Sequence, residues 1–442
     1  MTITITLLFA SFLVLLLIGT PVAVALGGAA VIASLWAGAL PLPILGQKIY
    51  GNLDHFTLMA VPFFFLAAAF METGGIVRHL VTIANMIMGR FRAGMGMATV
   101  LTCAFFATIS GSSAATVAAV GGVMFPALKK QGYSDNYAVG LVAAAGGLGI
   151  LIPPSIPLIL YGFITETSIP KLFMAGILPG LVYAALLMLM ARFLARNSTV
   201  TPTLDMSRLE KARSIRLALP ALLLPVFLVI GIYGVPAFSV GTHTYSGGAI
   251  FTPTEASLIL ASAALLVGFF IYRQTTLRTM VQTVLDVTPN VGMIFWIITN
   301  AVLFGFFLTQ LGVPDALANW LVSIEMNKWT FLLIVNIILI IAGCFIDGVP
   351  MILMFMPVLY PAAKALGVDP IHFGILVVLN IEVGLLTPPV GMNLFVASTI
   401  SGIPLTQVIR ASLPWLGVAL FTLLLLTYIP IISTYLPSLM TG

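Results

Sequence analysis

The sequence predicts an all-α polytopic membrane protein, an inverted repeat of five spans each with two re-entrant helical hairpins and two broken helices. Three observations predict it. The 442 residues are 60% hydrophobic and 7% charged, against about 25% charged residues in an ordinary soluble domain. The apolar residues fall in runs long enough to cross a bilayer. Half of the chain also repeats the other half at a nearly constant offset. So few charges cannot cover the surface of a soluble chain of this length, which excludes soluble-enzyme and nucleic-acid-binding classes. The net charge of +5 fits basic cytoplasmic loops rather than a nucleic-acid partner.

A spanning helix needs roughly 20 apolar residues. Apolar runs occupy 5–20, 22–37, 56–74, 137–163, 171–194, 217–233, 254–272, 287–311, 371–399 and 404–432. Gly19 and Pro21 separate the first two. The N-terminus lacks the basic residues of a signal peptide and reads as a retained first span. Cys103 and Cys344 lie in apolar runs and read as small core residues. The stretch 196–216 is polar and rich in Lys and Arg. It reads as a cytoplasmic linker between a first repeat over 1–195 and a second over 217–442.

Four shorter apolar segments come in pairs, 95–109 with 113–128 and 330–344 with 349–363. Each is about 15 residues, or about 23 Å of helix, too short to span comfortably. The first pair flanks Ser110-Gly111-Ser112-Ser113 and the second Asp347-Gly348-Val349-Pro350. Short helix, polar turn, short helix is the pattern of a re-entrant hairpin, here over 95–128 and 330–363. Such a tip is tolerated at membrane depth when protein or a cavity surrounds it. Amphipathic stretches 76–92 and 314–328 precede the hairpins and read as arms along the interface.

The repeat is visible residue by residue. Pro126-Ala127-Leu128-Lys129 with Gly132 matches Pro361-Ala362-Ala363-Lys364 with Gly367. The same offset of 235 carries Gly149 onto Gly384 and Pro153-Pro154 onto Pro388-Pro389. Five crossings per half is an odd number, so the second half enters the membrane upside down. With the first hairpin on the cytoplasmic side, fourteen of the eighteen Lys and Arg residues fall on that side, as the positive-inside rule requires. Inverted repeats with discontinuous helices mark secondary transporters, with the site near the midplane.

Candidate chemistry sits at the interruptions. Gly149-Ile150-Leu151-Ile152-Pro153-Pro154-Ser155 must break the helix over 137–163, because two prolines remove two backbone donors. Gly384-Leu385-Leu386-Thr387-Pro388-Pro389 repeats this in the helix over 371–399. The freed carbonyls need partners. Either neighbouring helices repair the kink or a small hard cation such as Na⁺ binds there. The hydroxyls of Ser110, Ser112 and Ser113 either complete a cation site or merely suit a tight turn. Helix N-termini at the tips and breaks favour an anion, so a carboxylate substrate fits without a buried arginine.

Two acids lie in membrane segments and are functional candidates. Asp347 can pair with a cation, bond substrate or cap the next half-helix. Glu382 is a candidate coupling acid, either carrying a proton or bonding a freed amide. Arg78, near an arm, can attract an anion or simply sit solvated at the interface. The four histidines lack metal-ligand spacing. None lies in a hairpin to act as base for a serine hydrolase, which disfavours that enzyme, while a non-transporting membrane enzyme or assembly factor stays the alternative of another class.

At the hairpins and breaks the chain resembles the large membrane subunit of TRAP transporters (tripartite ATP-independent periplasmic transporters). The resemblance rests on Ser110-Gly111-Ser112, Ile152-Pro153-Pro154-Ser155-Ile156-Pro157, Lys171-Leu172-Phe173-Met174-Ala175-Gly176-Ile177, Phe251-Thr252-Pro253-Thr254-Glu255-Ala256 and Gly384-Leu385-Leu386-Thr387-Pro388-Pro389-Val390-Gly391. It implies an elevator-type, sodium-driven importer of small organic acids in a bacterial inner membrane. It also implies two partners, a small four-helix membrane subunit and a periplasmic substrate-binding protein. By the resemblance one Na⁺ site uses Ser110, Ser113, Gly149, Ile152 and Pro154. The other uses Gly343, Gly384, Thr387 and Val390. Ser112, Ser155, Asp347 and Arg78 are the substrate-binding candidates. Two positions depart from the family pattern. Ala114-Ala115-Thr116 stands where an Ala-Asp-Thr run is frequent, and Glu382 where a small or neutral residue is frequent. Substrate class and ion stoichiometry stay open at this point, as does a stand-alone sodium–carboxylate symporter.

Overall fold

The computed structural model describes residues 2–38, 42–91, 93–196, 208–234, 238–240, 243–245 and 250–440. Arg92, most of the basic linker and parts of the loop 234–253 lie outside them. The described chain is almost wholly helical. Its two strands, Phe238–Val240 and His243–Tyr245, pair antiparallel in the loop before the seventh apolar run.

The first half opens with α1 (Thr2–Leu17), α2 (Val22–Ala37) and α3 (Leu42–Leu53). Pro21 separates the first two because it cannot continue α1 but is tolerated before α2. α3 was not expected from the apolar pattern, since its residues are mixed in character. Then come α4 (Ala60–Thr73), entered by a 3₁₀ turn at Phe56–Met59, and the arm α5 (Ile76–Met88). The first hairpin is α6 (Gly94–Ser110) and α7 (Ser113–Lys130). The first broken span is α8 (Asp135–Ala145), α9 (Leu148–Leu151) and α10 (Ile156–Thr165), followed by α11 (Ile169–Leu194).

The second half begins with α12 (Arg208–Tyr233), α13 (Pro253–Leu266), α14 (Leu277–Gln310) and the arm α15 (Val313–Ser323). α12 absorbs the end of the expected linker, so Lys211, Arg213 and Arg216 extend the span as helix. α14 starts ten residues before its expected apolar run, because Thr276 caps it and its first turns are polar. The second hairpin is α16 (Lys328–Gly343) and α17 (Gly348–Ala365). The second broken span is α18 (Pro370–Leu385) and α19 (Met392–Ser401). α20 (Leu405–Tyr428) and α21 (Ile431–Ser438) end the chain, divided at Pro430.

Eight helical stretches among the described residues are long and apolar enough to cross a membrane by length and composition. α17 is one of them, so the second arm of the second hairpin is longer than its apolar run suggested. The repeat is carried by the elements themselves. Gly94 and Lys328 start the first hairpin arms, Ser113 and Gly348 the second arms. Asp135 and Pro370 start the broken spans, Ile156 and Met392 their second pieces, each pair 234 to 236 positions apart.

The helices pack in two groups. α1, α2, α4 and α12–α14 contact one another, with α2 and α4 both against α14. The hairpins, broken spans, α11, α20 and α21 form the other group. Within it the halves interlock: α19 packs on α7, α20 on α8 and α17 on α10. Residues 137–162 of α8–α10 are all buried there. Large apolar side chains such as Leu17, Trp36, Phe193 and Phe270 are exposed on the outside, the face a bilayer covers.

Candidate functional site

The first tip is built by Gly111 and Ser112. Gly111 ends α6 in the left-handed region, at φ 60°, which glycine adopts at no steric cost. Ser112 starts α7 as its N-cap, its hydroxyl accepting from the Ala115 amide at 3.4 Å. Buried Ser110 bonds the Thr116 hydroxyl at 2.8 Å, and that hydroxyl also donates to the Ser112 carbonyl at 2.8 Å.

The first break lies directly against this tip. The Ile156 amide donates to the Gly111 carbonyl at 3.2 Å. Gly149 fits because it has no side chain: a Cβ there would come within 2.5 Å of the Ser112 carbonyl oxygen. Ser110, Ser113, Gly149, Ile152 and Pro154 are all buried; Gly149 lies against Ser112 and the Pro154 carbonyl against Gly111, while the Ile152 side chain packs on Gly180 of α11. The Ser155 hydroxyl caps α10 by accepting from the Leu158 amide at 3.4 Å.

The second half repeats the arrangement. The Val390 amide donates to the Cys344 carbonyl at 3.2 Å, the counterpart of the Ile156–Gly111 bond. Gly343 and Gly384 meet backbone to backbone, since a Cβ on Gly384 would lie 2.6 Å from the Gly343 Cα. The Thr387 hydroxyl donates to the Val383 carbonyl, leaving its oxygen lone pairs for another partner. Gly343, Gly384, Thr387 and Val390 thus share one junction. Both breaks contain a cis Pro-Pro bond.

Between the two tips lies a cavity of about 380 Å³. Gly111, Ser112 and Ser113 line it from the first tip, Asp347, Gly348 and Val349 from the second, and Asn290, Met293, Ile294 and Ile297 from α14. Asp347 is exposed here and makes no capping bond to α17. Among the described residues no Lys, Arg or His lines the cavity. Arg78 is exposed on α5 and Ser155 is sealed behind the tip, so neither reaches the wall.

Glu382 is brought to the first junction from the opposite half. It is fully buried, and its carboxylate accepts from Ser113 Oγ at 2.9 Å. Asn393 joins them, donating to Ser113 Oγ at 2.7 Å and to Glu382 Oε1 at 3.3 Å. Asn290 and Asn393 were missed as site residues. Both are amides in apolar runs, and that contrast was the available signal. Thr116 was named only as a departure from a pattern, although its hydroxyl organises the tip.

The residues present suit Na⁺. Both junctions offer carbonyl and hydroxyl oxygens, and at the first the Asn393 Oδ1 is buried without a hydrogen-bond partner.

Compared with known proteins, residues 9–432 match the family described as tripartite ATP-independent periplasmic transporter, DctM component. The chain is 43% identical to the C4-dicarboxylate TRAP transporter large permease protein DctM of Pseudomonas aeruginosa, over 89% of each chain. It is 32% identical to the sialic acid TRAP transporter large permease protein SiaM of Vibrio cholerae, over 97% of each. It is 36% identical to the isethionate TRAP transporter permease protein DctMQ of Oleidesulfovibrio alaskensis, covering 97% of this chain and 65% of that one. In fold it is similar to the Alcanivorax borkumensis YdaH transporter, with a TM-score of 0.64 at 15% identity over 88% of each chain. The hairpins and breaks are thus those of a transporter rather than an enzyme, and the chain belongs to the DctM component family of TRAP transporters, their large membrane permease subunits.

Proposed function

We propose that this permease imports a small organic acid, driven by an inward sodium gradient. The cavity framed by both hairpin tips carries this reading. Its volume is in the range of small-molecule sites. The N-termini of α7 and α17 open onto it, and their free amides and partial positive charge suit a carboxylate. Ser112 supplies a hydroxyl, and Asn290 and Asp347 can bond other polar groups of the substrate. Sodium at the two flanking junctions ties each break to its tip and so shapes the cavity. The named relatives, which handle C4-dicarboxylates, sialic acid and isethionate, all point to small organic anions.

The two packing groups suggest the motion. The group holding the hairpins carries substrate and Na⁺ across the membrane, while α1–α5 and α12–α14 stay fixed with the small four-helix subunit. A periplasmic binding protein delivers the acid at the inner membrane. The DctMQ relative extends well beyond the matched region, and we read the excess as the small subunit joined in one chain.

The test is organic-acid uptake into proteoliposomes, with the small subunit and binding protein, with and without a Na⁺ gradient. Uptake that needs Na⁺ and all three components is expected. Uptake by this chain alone would replace the proposal with a stand-alone symporter. Accumulation of C4-dicarboxylates, sialic acid and isethionate that is equal with and without the gradient would sink sodium coupling.

A further inference from the structure

Glu382 has an environment that the two expected sodium junctions do not account for. It stands on α18, fully buried. Gly147 on the first broken span makes room for it, since a Cβ there would collide with the carboxyl group. Its bonded neighbours are neutral: Ser113 at the start of α7 and Asn393 at the start of α19. Among the described residues no Lys, Arg or His forms an ion pair with it. A buried carboxylate held only by neutral donors lacks a positive partner, and such intramembrane acids mark ion paths.

The oxygens around it already form a shell. Besides the two carboxylate oxygens there are Ser113 Oγ and the Ala143 carbonyl, the latter 3.4 Å from the Asn393 amide nitrogen. The Asn393 amide oxygen is buried with no partner. Amide orientation is an assignment made from such bonds. Turning the group over brings Oδ1 to the position now 2.7 Å from Ser113 Oγ and 3.3 Å from Glu382 Oε1. The inward-facing atoms are then all oxygen. They lie 2.7 to 3.4 Å apart, so the closest of them must open by a few tenths of an ångström to surround one small cation, whose bonds to oxygen are about 2.4 Å.

We propose that Glu382 and Asn393 complete the first sodium cage, the carboxylate supplying its only negative charge. The inference rests on the sodium reading above and adds a partner from the opposite half of the chain. A cage closed in this way joins α7 and α8 to α18 and α19. Sodium at Ser113 then holds the two halves together as well as one tip to one break.

The experiment is Na⁺ titration of the purified complex with its small subunit in nanodiscs, at constant ionic strength with choline as replacement. Binding is read with ²²Na⁺ and by the Na⁺-dependent rise in unfolding temperature. Glu382→Gln is expected to weaken one Na⁺ binding phase at least tenfold. Asn393→Ala is expected to weaken the same phase less, and it decides the matter if Glu382→Gln does not fold. A purely structural Glu382 would lower the unfolding temperature without moving the Na⁺ midpoint. Wild-type Na⁺ affinity in both variants, with Ser110→Ala still weakened, would overturn this inference alone. A wild-type complex that binds no Na⁺ would overturn the sodium reading and this inference with it.

Discussion

Single atoms decide what each junction can hold. Ser110 lies at a hairpin tip and Thr387 at a helix break, and their hydroxyls are used differently. Ser110 bonds Thr116 across the tip, whereas Thr387 bonds the carbonyl one turn back in its own helix. Removing either hydroxyl takes one oxygen from a proposed Na⁺ shell and barely changes volume. Ser110→Ala and Thr387→Ala are each expected to raise the Na⁺ concentration for half-maximal uptake three- to tenfold, with expression near wild type. Unchanged sodium dependence in both variants would remove them from the ligand sets. These residues were legible because polar groups stand out in a chain that is 7% charged. What was not legible was distance across the repeat. Ser113 and Glu382 are 269 positions apart, yet they share a hydrogen bond. Periodicity and motif spacing describe one segment at a time, so Glu382 could be flagged as unusual but not given its partner.

At the level of elements, the pattern of short helix, polar tip and proline break placed the hairpins and breaks within a few residues. Proline and glycine act locally, and their effect is readable without the rest of the fold. Polar helix extensions were missed for the converse reason. The first turns of α14 are held by the Thr276 cap and those of α12 by continuation of a long helix, not by an apolar face. The Phe251–Ala256 run shows how a family motif reduces to local physics. Thr252 accepts from the Glu255 amide at 3.3 Å, while the Glu255 carboxylate accepts from the Thr252 amide at 2.8 Å. Pro253 occupies the first helical position, where a missing amide proton costs nothing. Thr252→Ala should therefore lower stability by about 1 kcal/mol, with Thr252→Ser near wild type. Thermal unfolding in detergent would check it, and equal midpoints for all three proteins would count against the cap.

For the whole molecule, the question is whether the two helix groups slide past each other. α14 of one group lies along α17 of the other, and a Cβ on Gly305 would sit 3.4 Å from the Pro357 Cβ. That separation is close to the range a disulfide bridges. With Cys103 and Cys344 replaced, Gly305→Cys paired with Pro357→Cys should cross-link under oxidation. Uptake should then fall to background and return on reduction. Full uptake by the oxidised pair would argue against a sliding carrier group. Smaller openings are governed elsewhere. Each tip is fastened to its break by a backbone bond, Ile156 to Gly111 and Val390 to Cys344. No hairpin can lift away from its break while that bond is intact. The two amide protons are therefore timekeepers, exchanging with deuterium only as often as each jaw parts, and saturating Na⁺ should slow both.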